Sequence, residues 1–260
     1  MVNSDLEREK LKWFMKWVLD IGNDDLLPPQ IAHIPCIENH ILIPPQFCNL
    51  ETENMIKNMI SITYHGFKRN GHDLEYLSKR VILTPTNQTA GHLNSLIIDM
   101  LLGMSPHDLK LKAGAVVMLM RNLNQTLGLC NGTKMIVTKY LRFCVECEVI
   151  CGTFIGTKHF IPRMELSPPD NKMHFKLVRK QMPLQICYAM TINKSQGQSL
   201  DTVGSCLPKS IFTHGQYYVA VNRITSPSEL TIFVDDDSDL ATNITQNMVF
   251  KEVFYALSHI

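Results

Sequence analysis

The chain has 260 residues, of which 45% are hydrophobic and 19% charged, which is the composition of an ordinary globular protein with one large or two smaller domains. The 25 Lys and Arg residues balance 24 Asp and Glu residues, so an overall basic excess is excluded and any contact with nucleic acid must be local. Eight irregularly spaced cysteines argue against a secreted disulfide framework, and charged first residues without a long apolar run predict a soluble intracellular protein with no membrane partner.

The first predicted element is an amphipathic helix. Ser4 and Glu7 have the spacing of a capping box, and apolar side chains then recur at helical spacing: Trp13, Phe14, Trp17, Val18 and Ile21. Residues 27–50 are apolar and punctuated by prolines, which favours extended pieces, and we interpret them as a connector. Two short helices are predicted over 53–64 and 73–79.

An α/β pattern follows, is interrupted, and resumes. A buried strand, 81–83, leads through Thr84 to Asn87 into a helix that is capped by either Thr86 or Asn87. After residue 112 come short β-like runs separated by Gly and Asn turns, which predict a small barrel: 115–120, 134–141, 143–150 and 158–163. The α/β pattern then resumes with four elements: a buried strand over 183–190, an apolar run at 203–207, a helix from about 210 to 223 and a strand at 230–234.

The segment CYAMTINKSQGQSLD carries donors suited to a polyanion. Lys194, Ser195 and Gln196 follow a buried strand, and Gly197 lets the backbone approach a ligand closely. Phosphate binding would use such an arrangement. The same residues also fit a polar connection with a glycine for the turn, so both interpretations stay open.

Two further segments have a functional and a structural interpretation. Gln216, Ala220 and Arg223 fall on one helical face, so Arg223 either points into a cleft as an arginine finger or complements its own helix C-terminus. Thr84 and Asn87 lie where a strand ends and a helix begins, the ligand side of an α/β sheet, but helix capping explains them almost as well.

Together these segments resemble one family, the Pif-type (petite integration frequency) superfamily 1B DNA helicases encoded in Helitron transposons. Their order and spacing match, and the match extends to FMKWVLDIGND, GTKHFIPRMELSPPD and KEVFYAL, so it covers nearly all of the chain. The resemblance implies an α/β fold with a P-loop-NTPase-type, RecA-like second helicase domain over 76–113 and 180–260. Residues 114–179 would be its inserted 2B β-barrel, which is Src-homology-3-like, and residues 1–75 a helical, Pro-rich remnant that follows a first RecA-like domain.

The resemblance also implies roles for the polyanion segment. TINKSQGQ looks like helicase motif V. In that motif Lys194 and Ser195 would contact DNA, while Gln196 and Gly197 would face the nucleotide.

The other two segments resemble helicase motifs as well. YVAVNR is similar to motif VI, which would make Arg223 the arginine finger on the γ-phosphate of ATP and Gln216 a coupling residue. LTPTN resembles motif IV, in which Thr84 and Asn87 would contact phosphates of single-stranded DNA.

The implied function is ATP-dependent 5′-3′ DNA unwinding with ATP and Mg²⁺, in the nucleus, during repair, recombination, telomere maintenance or Helitron transposition. No stretch reads G-x-x-x-x-G-K-[ST], and no Gly-Lys pair occurs, so the loop that would hold the phosphates is absent from these residues. We therefore predict the C-terminal portion of a helicase, which binds ATP and Mg²⁺ poorly alone and needs an N-terminal half. The alternatives are a non-catalytic single-stranded-DNA-binding module, using the barrel and the basic segment 172–180, or an inert transposon-derived remnant.

Three other groups of residues could be functional sites, but for each of them a structural interpretation is favoured. Three acids fit a D-D-x-x-D metal pattern, but a solvated turn is favoured for them: Asp235, Asp236 and Asp239. Cys144 and Cys147 have C-x-x-C spacing, yet on a strand they point to opposite faces, so free core thiols are preferred and no metal site is predicted. His214 has no nucleophile to partner it and is interpreted as structural.

Overall fold

The computed structural model describes residues 2–25, 40–49, 54–102, 112–166, 178–207, 213–234 and 243–250. Its helices are α1 (Val2–Asn23), α2 (Met55–Thr63), α3 (Phe67–Asn70), α4 (Leu74–Ser78), α5 (Asn87–Leu102) and α6 (Gln216–Val221). Its strands are β1 (His40–Leu42), β2 (Cys48–Asn49), β3 (Arg80–Thr84), β4 (Val116–Leu119), β5 (Lys134–Tyr140), β6 (Cys144–Val149), β7 (Lys158–Pro162), β8 (Met164–Leu166), β9 (Arg179–Gln181), β10 (Leu184–Ile186), β11 (Ala189–Thr191), β12 (Thr202–Leu207), β13 (Leu230–Val234) and β14 (Ile244–Gln246). The chain divides into two compact units, the first comprising Met1–His65, Arg80–His92 and Ala189–Ile260, and the second Gly66–Lys79 and Leu93–Tyr188.

A parallel sheet organises the first unit. Five strands lie in the order β11-β3-β12-β13-β2, and every neighbouring pair is parallel. All six residues of β12 are buried, as expected for a parallel strand that is covered on both faces. The predicted strands at 81–83, 203–207 and 230–234 are therefore confirmed.

The interpretation of residues 27–50 as a connector is wrong for the part that the structure describes. β2 is an edge strand of the parallel sheet, because it pairs with β13, and the amide of Ile232 donates to the carbonyl of Phe47 at 2.7 Å. β1 pairs antiparallel with β14 in a separate two-stranded sheet. This stretch contributes strands to the first unit, although residues 26–39 lie outside the described residues.

The predicted N-terminal helix is confirmed as α1, but its predicted cap is wrong. The helix already includes Ser4, whereas a cap residue lies at the boundary of the helix. Phe14 and Trp17 are buried and pack on Phe47, with ring centroids 5.7 and 5.1 Å away. Trp13 lies on the predicted apolar face but remains 45% exposed.

An antiparallel sheet organises the second unit. Its strand order is β10-β4-β5-β6-β7, and its described edge strands are β10 and β7. The four predicted β-like runs are confirmed as β4 to β7, and their inward side chains form one core cluster: Val117, Leu119, Leu129, Met135, Val137, Val145, Cys147, Val149, Ile161 and Leu184. The single strand predicted over 183–190 is wrong, because β10 pairs antiparallel with β4 whereas β11 pairs parallel with β3.

Lys134 carries an amine that the second unit buries. The residue is 1% exposed, and its Nζ donates to the carbonyl of Ser78, the last residue of α4, at 3.4 Å. A helix C-terminus leaves carbonyls without intrahelical partners, so this lysine caps α4 from the antiparallel sheet. Burial lowers the pKa of Lys134, and the thiols of Cys187 and Cys151 partly offset that shift.

We expect Lys134→Met to stabilise the protein in a pH-dependent way. Since the folded-state pKa lies below the ordinary value of 10.5, the unfolded chain takes up a proton at a higher pH than the folded chain does. The wild-type protein therefore loses stability as the pH falls from about 10.5 towards the folded-state pKa, and the loss is complete below that pKa. Methionine fills similar space without the charge. The variant should gain about 1–3 kcal/mol in free energy of unfolding near pH 7 and less near pH 10, as measured by urea unfolding.

Lys134→Arg is the matched control for the lysine prediction. The guanidinium keeps its charge at both pH values, so this variant should be destabilised at both. A gain for Lys134→Met that is equal at the two pH values would contradict the assignment of the effect to the buried charge.

Candidate functional site

Two of the predicted site segments leave the parallel sheet at the same edge. β3 and β11 are neighbours, and Thr84 lies opposite Thr191 at their carboxyl ends. After Thr84 the chain enters α5, and after Thr191 it forms a 3₁₀ turn over Ile192–Ser195. The carboxyl edge of a parallel sheet is where α/β proteins bind ligands, so the fold brings the predicted phosphate-binding segments together.

Thr84 and Ser195 lie at this edge but are buried, and the DNA contacts implied for them stay predictions. Both residues are 0% exposed. The hydroxyl of Ser195 donates to the carbonyl of Ile192 at 2.7 Å and closes the 3₁₀ turn, whereas Thr84 Oγ1 is buried without a hydrogen-bond partner. In this structure both hydroxyls therefore face the interior of the protein.

Other predicted residues of the two segments do reach the surface. Asn87 is exposed at the first position of α5, where the helix dipole is positive, and Thr86 provides the cap, since its Oγ1 accepts from the amide of Thr89 at 3.1 Å. Gln196 and Gly197 are exposed. Gly197 has φ of +82°, which favours glycine, and the space that a Cβ would occupy is open for 4 Å.

Lys194 belongs to the same loop and is partly exposed. It lies in the 3₁₀ turn, and its carbonyl accepts from Nε2 of Gln198 at 3.4 Å. A cation, an amide and an open glycine thus follow one another at the edge of the sheet. These are the groups that bind a phosphate backbone.

Arg223 follows a helix that is shorter than predicted. α6 begins only at Gln216, because Gly215 before it has φ of +66°; residues 213–215 form a turn, and residues 208–212 lie outside the described residues. Nε of Arg223 donates to the carbonyl of Val219 at 3.2 Å, so the side chain complements its own helix C-terminus, which is one of the two interpretations left open by the sequence. Gln216 is 5% exposed and therefore lies in the interior.

A pair of backbone hydrogen bonds joins the loop after Gly197 to the segment that carries Arg223. The amide of Leu200 donates to the carbonyl of Arg223 at 2.9 Å, and the amide of Thr225 donates to the carbonyl of Leu200 at 3.2 Å. α6 also packs against the 3₁₀ turn. A displacement of the loop would therefore be transmitted to Arg223 through the main chain.

The structure describes two of the three rival sites. β6 alternates in burial, so that Cys147 is buried and Cys144 is on the opposite face. His214 is structural, because its Nδ1 accepts from the amide of Phe250 at 2.9 Å. Within the described ranges, no group of three or more His, Cys, Asp or Glu residues is placed to hold a metal ion, and residues 235–242 lie outside those ranges.

Sequence reasoning missed an exposed aromatic at the end of the β5–β6 hairpin. Phe143 is 70% exposed, and Cζ of Arg142 lies 5.2 Å from the centroid of its ring. The available signal was a basic residue between the predicted runs 134–141 and 143–150 with an aromatic residue directly after it, where polar turn residues are usual. Among the described helices, none is long and apolar enough to cross a bilayer.

Comparisons with known proteins point to one family of helicases. A family model described as DNA helicase Pif1, 2B domain, matches residues 92–140. The ATP-dependent DNA helicase PIF1 of Xenopus laevis is 28% identical over 216 residues, which are 74% of this chain and 32% of that protein. The Homo sapiens protein of the same name is 35% identical over 127 residues, 48% of this chain and 19% of that protein. The chain thus spans about a third or less of the length of these relatives.

A solved structure supports the fold. A Pif1 helicase from Bacteroides, in complex with ADP-AlF3 and single-stranded DNA, superposes with a TM-score of 0.51 over 80% of this chain and 54% of that chain, at 20% identity. The predicted fold, a RecA-like α/β domain together with a 2B domain, is confirmed by this match, the parallel sheet and the 2B family model.

Proposed function

Because this chain belongs, as a partial chain, to the Pif1 family of superfamily 1B DNA helicases, we propose that it forms the second RecA-like domain and the 2B subdomain of a 5′-3′ ATP-dependent DNA helicase. Single-stranded DNA lies along the carboxyl edge of the parallel sheet, where Asn87 and Lys194 bind its phosphates. Thr84 and Ser195 hold the two loops from beneath. The observation that carries the proposal is the pairing of β3 with β11, which places both loops at one edge.

Nucleotide contacts belong to the other part of this proposal. Gln196 and Gly197 face the nucleotide, and Arg223 contacts the γ-phosphate of that nucleotide. Gln216 couples α6 to the loop that carries Gln196 and Gly197. The backbone bonds between Leu200 and the Arg223 segment support such coupling, because they join the loop to α6.

These residues do not fit ATP and Mg²⁺ by themselves. The sequence contains no Gly-Lys pair for the phosphates, and the described residues hold no cluster of carboxylates for the metal. We therefore propose that a separate polypeptide segment with a phosphate-binding loop completes the ATP site, and that the 260 residues alone turn over no ATP. Work in the nucleus, in DNA repair, recombination, telomere maintenance or Helitron transposition, is part of the same proposal.

Binding of single-stranded DNA tests the proposed edge. We expect the chain to bind a fluorescein-labelled oligothymidylate with an affinity that falls as salt rises, as measured by fluorescence anisotropy. Lys194→Ala should weaken binding and reduce the slope of log affinity against log salt by about 1, because one phosphate contact and its released counterion are lost. Addition of nucleotide to the chain alone should change nothing.

Lys57→Ala is the matched control for Lys194. Lys57 is an exposed lysine of α2, a helix that contributes no residue to the two loops of the proposed edge, so its loss should leave the salt slope unchanged. If both variants have the same slope of log affinity against log salt, Lys194 does not bind a DNA phosphate and the proposed edge is contradicted. Absence of binding together with an early, non-cooperative thermal melt would favour an inert remnant.

A further inference from the structure

The β5–β6 hairpin ends in a tip, residues 140–143, that exposes apolar and basic side chains. Tyr140 is 44% exposed, Leu141 49% and Phe143 70%. None of the three belongs to the core cluster of the second unit. Phe143 therefore contributes little to burial within the unit, and a role in folding does not explain it.

The geometry of the tip presents the Phe143 ring together with positive charge. The amide of Leu141 donates to the carbonyl of Cys144 at 2.9 Å, which leaves Arg142 and Phe143 as the turn residues. Cζ of Arg142 lies 5.2 Å from the centroid of the Phe143 ring, within the range of a cation–π contact. The amide of Arg163 donates to the carbonyl of Phe143 at 3.2 Å, so a second exposed arginine is fixed beside the turn.

Charge at this end of the sheet favours an anionic partner. Lys139, Arg142 and Arg163 are exposed. The two acids of β6 are already engaged, since Oε2 of Glu146 accepts from Thr138 at 2.7 Å and Oε2 of Glu148 lies 3.7 Å from Lys158 Nζ. An exposed aromatic ring flanked by arginines is the arrangement that stacks nucleic-acid bases while binding the backbone.

We infer that this tip platform, defined as Tyr140, Arg142, Phe143 and Arg163, binds an unpaired base of single-stranded DNA. The base stacks on the ring of Phe143, and the two arginines bind the adjoining phosphates. The inference rests on the proposed function for its ligand and adds to it a second DNA contact, in the 2B unit. Because every base has an aromatic face, this contact carries no sequence preference.

Fluorescence anisotropy of the intact chain with labelled oligothymidylate tests the platform. Phe143→Ala should raise the Kd by about 5- to 150-fold, the range for loss of one base stacked on an aromatic side chain. Phe143→Trp should keep the affinity, since stacking needs only an aromatic face. Phe160→Ala is the matched control, because Phe160 is 60% exposed on β7 and lies outside the tip, opposite Glu146.

The outcomes separate this inference from the proposed function. Equal affinities for Phe143→Ala and Phe160→Ala, with Lys194→Ala weakened, would overturn the platform alone. A Phe143→Trp variant as weak as Phe143→Ala would also overturn it. Failure of the wild-type chain to bind at low salt would overturn the platform and the proposed function together. The platform is supported if Phe143→Ala loses affinity for oligothymidylate and Phe143→Trp retains it.

Discussion

Replacement of Arg223 by alanine should lower DNA-stimulated ATP turnover by about a thousandfold or more, once a phosphate-binding loop is supplied. We expect this result in a protein that joins the 260 residues to the N-terminal part of a related ATP-dependent helicase carrying such a loop. A guanidinium is a planar, permanently charged donor, and its charge stabilises the transferring phosphoryl group. The main chain of Arg223 is fixed by the amide of Leu200, and the bond from Nε to Val219 uses only one of the five guanidinium donors.

Arg223→Lys is the control for the arginine prediction. Lysine keeps a positive charge near the C-terminus of α6, so thermal stability should be preserved while ATP turnover remains lost. The 260 residues alone should show no turnover in any variant. If they do turn over ATP and Arg223→Ala abolishes it, the chain contains an ATP site that its sequence motifs do not reveal. If the joined protein is insensitive to Arg223→Ala, the side chain serves only its own helix end.

Strands with strong burial could be predicted from the sequence. β3 and β13 each contain a short apolar run, and β12 consists of small and apolar residues with no charge. Such segments fit a parallel sheet covered on both faces. Polar residues directly after those strands then fall at the carboxyl edge by geometry alone. For this reason the position of the segment after β3 could be predicted before any contact was known.

Short or locally ambiguous elements could not be predicted. β2 has two residues and therefore no periodicity, and only its pairing with β13 identifies it. The run from 183 to 190 is largely apolar, yet it is divided at Tyr188. The Tyr188 amide donates to Oδ1 of Asn94, and the Tyr188 hydroxyl donates to the carbonyl of Gly114. Those partners are 94 and 74 positions away, so nothing local predicts the break.

The exposure of individual candidate residues could not be predicted from the sequence either. Threonine and serine in a loop are typical of both ligand contacts and local hydrogen bonds. Thr84 is fully buried by the packing of the sheet, and Ser195 is fully buried within the 3₁₀ turn. Lys134 shows the same limit, because a lysine in a strand is usually solvated and only the end of α4 gives it a buried partner.

The parallel sheet depends on a glycine in its central region. Gly204 lies in β12, and a Cβ added there would overlap Oγ1 of Thr63 in α2 and approach Cγ of Met59 to 3.3 Å. α2 packs directly on β12, so the added methyl must displace the Thr63 side chain or the helix that carries it. We expect Gly204→Ala to lower the free energy of unfolding by about 2–3 kcal/mol in urea unfolding.

A second substitution should reverse that loss. Thr63 Oγ1 is buried without a hydrogen-bond partner, so Thr63→Ala removes an unsatisfied hydroxyl and makes room for the new methyl. The double variant should recover most of the stability, giving a coupling energy of about 2 kcal/mol. Gly91→Ala is the matched control: no atom lies within 4 Å of its added Cβ, and in the interior of α5 it should stabilise by about 0.5–1 kcal/mol.

The same pair of variants connects packing with the proposed DNA edge. β12 lies between β3 and β13, and β3 in turn holds β11, so displacement of α2 loosens the strands that carry both loops. We therefore expect Gly204→Ala to weaken binding of oligothymidylate and the double variant to restore it. A Gly204→Ala variant that binds normally despite its lost stability would show that the loops hold their positions independently of α2. Failure of Thr63→Ala to restore stability would mean that Met59, rather than the hydroxyl, resists the added methyl.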